Sequence, residues 1–75
     1  MPTIKIIDGF KITMYGNEHG AAHFHILDGD DAAKVNIENL EVMAGSVDRR
    51  TLNKAREWAA DNKDLLIAKW KEFNQ

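Results

Sequence analysis

Three histidines fall within seven residues, His19-Gly20-Ala21-Ala22-His23-Phe24-His25, and they are the only ones in the chain. Imidazole has an unperturbed pKa of about 6.5, so two or three together suit proton transfer or metal ligation. His23 and His25 are two residues apart. On a β-strand both point to one face, roughly 6–7 Å from each other, and Phe24 points to the opposite one. His19 comes from the preceding loop, beside Glu18, and Tyr15 ends the neighbouring strand. As general acid and base, His19, His23 and His25 fit RNA cleavage. One group would take the 2′-hydroxyl proton and another would protonate the leaving oxygen. A cation must then stabilise the phosphorane-like state, and Lys11, Lys34, Arg49 or Arg50 could supply it.

Metal binding asks more of the same residues. It needs three converging ligands and partners that hold each ring. The chain has no cysteine, and structural zinc normally takes four protein ligands, so no tight zinc site and no cofactor are expected. Asp28, Asp30 and Asp31 cluster in a turn, but the later Gly and Glu of a calcium loop are missing. Phosphate-binding glycine loops and a serine-nucleophile motif are absent too. Ser46, the only serine, reads as a helix cap. The third reading gives the histidines a structural or interaction role on an amphipathic strand. The residues leave enzymatic activity open.

The elements that must position these groups divide the chain in two. Thr3–Asp8 and Phe10–Tyr15 read as strands joined by an Asp8-Gly9 hairpin turn. Phe10, Ile12 and Met14 alternate with Lys11, Thr13 and Tyr15. His23–Asp28 is the third strand, Gly29-Asp30-Asp31 a turn and Ala33–Ile37 the fourth. A short fifth, Leu40–Met43, is closed by Gly45. Ser46 then caps a helix from Asp48 to about Ala60, with Leu52, Ala55 and Ala59 on one face and Trp58 at its edge. After a break at Asp61-Asn62, a helix from Lys63 to Phe73 gathers Leu66, Ile67, Trp70 and Phe73 in one stripe and leaves Leu65 outside it. The spacing predicts one α+β domain over residues 1–75: an antiparallel β-meander of four to five strands, then two C-terminal helices packed on one face. Phe10, Ile12, Met14, Phe24, Ile26, Val35 and Ile37 should form the helix-facing side, with both tryptophans in packing roles.

Composition bounds the function. The 75 residues are 44% hydrophobic and 29% charged, ordinary for a soluble domain. No apolar run approaches the ~18 residues of a membrane span, and the start lacks a basic-then-apolar signal. A cytoplasmic protein without membrane contact is expected. The net charge of -2 disfavours a nucleic-acid-binding regulator, whose affinity grows with phosphates neutralised. The charge is uneven: residues 1–45 carry three lysines against seven acids, and residues 46–75 seven basic groups against five acids. Arg49-Arg50 opens a helix, where positive charge is unfavourable. A partner would explain its retention. Arg49, Arg50, Tyr15 and Glu18 are the candidate partner-binding residues.

Met1-Pro2-Thr3-Ile4-Lys5, Met14-Tyr15, Glu18-His19-Gly20, His23-Phe24-His25 and the run from Gly45-Ser46 to Arg49-Arg50 together carry a resemblance. The chain resembles, over nearly its whole length, the small bacterial family called domain of unknown function 4160. Family members commonly have proline before the HFH segment and before the arginine pair, where this chain has Ala22 and Asp48. Its matching positions are His19, His23, His25, Arg49 and Arg50. The resemblance implies one half of a two-gene module, encoded beside another short family of unknown function (2442), in a toxin–antitoxin-like pair. A protein partner, such as the neighbouring-gene product, is the leading expectation. The alternatives are a small metal-independent ribonuclease using the histidines and a nucleic-acid-binding regulator; RNA and self-association stay open as contacts.

Overall fold

The computed structural model describes residues 3–16 and 20–74. The elements follow in the order β1 (Thr3–Ile7), β2 (Phe10–Thr13), β3 (His23–Asp28), β4 (Asp31–Asn36), β5 (Val42–Ser46), α1 (Arg49–Asp61) and α2 (Lys63–Phe73). The strands form one antiparallel sheet in chain order, so the fold is the α+β meander that the alternation predicted. No described helix is long and apolar enough to cross a membrane.

Two tight turns set the first and third hairpins. Asp8 and Gly9 have φ of 41° and 90°, the positive pair that a type I′ turn needs. Gly29 has φ of 60° and Asp28 pairs with Asp31. Glycine at the first central position suits a two-residue type II′ turn. Asp31 is thereby freed to pair, and β4 starts two residues before the expected Ala33.

All seven sheet residues expected in the core are there. Phe10, Ile12, Met14, Phe24, Ile26, Val35 and Ile37 form one buried cluster with Ala55 and Ala59 of α1 and Leu66 of α2. Both helices therefore cover the same face. Leu52, Trp58, Ile67, Trp70 and Phe73 pack around the cluster, while Leu65 is 42% exposed, off the stripe as expected. Polar contacts fix the helices to the strands and loops. Thr51 Oγ1 donates to Asp28 Oδ2 at 2.8 Å, Arg56 Nε to the Leu40 carbonyl at 2.7 Å and Lys63 Nζ to the Glu38 carbonyl at 2.8 Å.

Further boundaries differ from the sequence reading: β2 ends at Thr13 rather than Tyr15, β5 starts at Val42 rather than Leu40, and the end of β5 and the cap of α1 move as well. β5 runs through Gly45 instead of stopping before it, and Ser46 lies in β5 rather than capping α1. The N-cap is Asp48, whose side chain makes no capping bond. The chain needs Val47 and Asp48 to turn from the sheet edge into the helix, which displaces the cap by two residues.

Asp8 pairs with Lys54 across 46 residues, joining the first turn to α1. The hydrogen bond and charge of Lys54 hold the Asp8 carboxyl below its ordinary 3.8, with a smaller pull from Arg50. A depressed folded pKa stabilises above the unfolded value and ceases to do so as pH falls through the folded one. Asp8→Asn keeps a residue that tolerates positive φ, so it should leave the turn intact and remove this acid dependence. Thermal melts between pH 5 and pH 2 check it: the wild-type advantage over the variant should shrink as pH drops below 3.8. A constant difference would count against the pairing.

Candidate functional site

Phe24 and Ile26, buried on the helix side, set the parity of β3. His23, His25 and Leu27 consequently take the opposite face, because strand side chains alternate. Across the sheet His25 stands opposite Thr13 of β2 and Lys34 of β4, and His23 opposite Asn36. The two imidazole centroids are 5.3 Å apart. Tyr15 meets the His25 ring edge-on at 4.5 Å. The same-face pairing read from the H-x-H spacing is thus present.

An exposed side of β3 was expected for both histidines, and for His23 the structure corrects this. His25 is half-buried, but His23 is 1% exposed. Trp70 of α2 lies against the His23 ring at 4.8 Å between centroids. His23 Nδ1 also contacts the Ala21 carbonyl at 2.8 Å. A carbonyl only accepts, so Nδ1 carries the hydrogen and donates it. Such a ring is oriented as an acid or base would be, but it is closed to solvent. His19 and Glu18, the other candidates here, lie outside the described residues. Among the described residues no three His, Asp or Glu side chains gather as a metal group.

Thr13 lies on the side of β2 opposite Phe10 and Ile12, as the alternation predicted, and stands opposite His25. It is buried, and its hydroxyl has no hydrogen-bond partner among the described residues. Beyond His25 a shallow depression of about 300 Å³ opens over β4 and β5, lined by His25, Ala32, Ala33, Lys34, Ala44 and Gly45. Of the four cations considered for the histidines, Lys34 is the one that shares this depression with His25.

Arg49 and Arg50 are exposed in the first turn of α1, which has no acidic residue. Arg50 lines a cavity of about 400 Å³ with Asp8, Phe10, Thr51 and Lys54. This cavity sits by the Asp8-Gly9 turn, whereas Tyr15 follows the other end of β2. The predicted partner residues do not form one patch: the arginines and Tyr15 occupy opposite ends of the sheet. Sequence reasoning missed the Trp70 cover, the Asp8–Lys54 pair and the Thr51–Asp28 bond. The i, i+3, i+4 stripe of α2 signalled that Trp70 packs, though not that it reaches His23.

A family model described as Domain of unknown function (DUF4160) matches residues 9–71. No curated protein and no solved structure matches the chain.

Proposed function

The chain belongs to the family Domain of unknown function (DUF4160), and on that premise we propose that it acts through a protein partner, as one component of a toxin–antitoxin-like two-gene module in the cytoplasm. One observation carries the partner reading: both helices bury on one side of the sheet, and the other side keeps Ile6 61% exposed beside exposed Lys11 and half-buried Leu27 and Lys34. A two-layer domain with apolar residues on its second sheet face has a surface suited to another chain. The paired genes implied by the family resemblance support the module. Arg49 and Arg50, exposed against the helix dipole, supply a second contact for an acidic surface.

The ribonuclease reading stands second on geometric grounds. It needs one group to accept a proton and another to deliver one. Trp70 closes off His23, which leaves His25 as the described imidazole within reach of a substrate.

Calorimetric titration against the purified product of the adjoining short reading frame tests the proposal. A saturable 1:1 complex is expected. Arg49→Ala with Arg50→Ala should weaken it, with the loss smaller at high salt where charge pairing is screened. Lack of association would overturn the reading. RNA cleavage by the highly purified protein, reduced ~10²–10⁴-fold by His25→Ala at unchanged fold, would install the ribonuclease in its place.

A further inference from the structure

The strand registers align the sheet face turned away from the core cluster into two rows that cross all five strands; Thr13 in the second row is buried, and His23, beyond both rows, is covered by Trp70. One row is Ile6, Lys11, Leu27, Ala32 and Ser46. The other is Thr3, Thr13, His25, Lys34 and Ala44. Neither row holds a carboxylate, although acidic residues outnumber basic ones in the whole chain, 12 to 10. Two of the acids at the sheet's ends are engaged by α1 instead, Asp8 by Lys54 and Asp28 by Thr51. The face is therefore cationic through Lys11 and Lys34 and apolar through Ile6, Leu27, Ala32 and Ala44. The Ala32–Ala44 depression lies at its β4–β5 side.

From this charge pattern we infer that this face of the sheet docks an amphipathic helix of the partner whose apolar stripe is flanked by carboxylates. The inference rests on the partner reading above and names where and what that partner presents. Dimensions agree with one helix. Five strands span about 19 Å between the outer two, the length of about 13 helical residues. Lys11 and Lys34 are two strands and two residues apart, roughly 12 Å, close to two helical turns. Carboxylates seven or eight residues apart on the helix would meet both. The small side chains of Ala32 and Ala44, beside Lys34 on β4 and β5, allow an apolar residue of the helix to approach the backbone there. A second copy of this chain fits poorly, because a face-to-face pair would oppose lysines to lysines. A nucleic-acid strand would find two lysines amid apolar rows, few phosphate contacts for a binding free energy built on their number.

The probe is a 15-residue helical peptide with leucines at i, i+3, i+4 and i+7 and glutamates on both flanks. Amide shifts of the isotope-labelled full chain are followed during titration. A matched peptide with lysine for glutamate and a single-stranded uridylate RNA form the other arms. The glutamate peptide should shift Leu27, Ala32, Lys34 and Ala44. Lys11→Glu with Lys34→Glu should weaken it at least tenfold and confer binding of the lysine peptide. The milder Lys11→Gln with Lys34→Gln should weaken the first without conferring the second, and the same spectra report whether each variant is folded. Absent shifts, shifts centred on Arg49–Lys54, tighter RNA binding on this face, or indifference to the charge swap would each overturn the inference. Titration with the adjoining gene product decides the partner reading separately, so a partner that binds but shifts α1 instead would leave that reading standing and end this one.

Discussion

Gly45→Ala is expected to lower the melting temperature by about 10–25 °C. Gly45 sits inside β5 with φ of 75°, a conformation that costs a non-glycine residue roughly 1–2 kcal/mol. A Cβ there would also lie 2.3 Å from the Ala32 carbonyl oxygen, on the backbone of β4. No side-chain rotation relieves that contact, so the strands must separate. Together the two effects should reach about 2–4 kcal/mol, and each kcal/mol shifts a domain of this size by about 4–8 °C. A chain of 75 residues has about 4–11 kcal/mol in all. Scanning calorimetry measures the shift. Amide exchange should show β4–β5 opening first, with β2–β3 still protected. A wild-type melt would mean that β5 does not lie on β4 as described. Ala44 and Gly45 also line the depression beside Lys34, so the substitution should disturb the proposed docking face.

The same glycine marks where the sequence was hard to read. Gly45 looks like a terminator by composition, but its missing Cβ is what lets β5 continue past Ala32. A register shift between Lys34 and Val35, where Met43 is the extra residue, further blurs the alternation of β5. By contrast β2 and β3 alternate cleanly, and their core residues could be named one by one. α2 was legible to the residue because Asn62 and Asn74 flank an unbroken apolar stripe. Chemistry local to one strand, such as the shared face of His23 and His25, could likewise be read. Chemistry that depends on distant residues could not. Trp70 lies 47 positions from His23, and nothing in either segment encodes their meeting. Thr51 and Asp28 looked like an unremarked helix residue and a turn acid until the fold brought them to 2.8 Å.

The parity that places the histidines rests on Phe24, and the second large effect is expected there. Phe24 is fully buried between strand neighbours Ile12, Ile26 and Val35 in the core cluster. Phe24→Ala removes most of that side chain and leaves a cavity that the surrounding strands and helices close only in part. Such changes cost about 3–5 kcal/mol, much of the stability a domain this small possesses. Urea titration should find the variant unfolded or nearly so at 37 °C. Phe24→Leu keeps most of the volume and should cost about 1–2 kcal/mol, retaining the fold. The pair separates two causes of any lost partner binding. Phe24 faces away from His25 and Lys34, so it acts on them only by holding β3 in register. Binding should vanish with Phe24→Ala and persist with Phe24→Leu, following the folded fraction of each. If Phe24→Ala melts like the wild type, Phe24 is not in the core, and the side of the sheet assigned to His23, His25 and Lys34 changes with it.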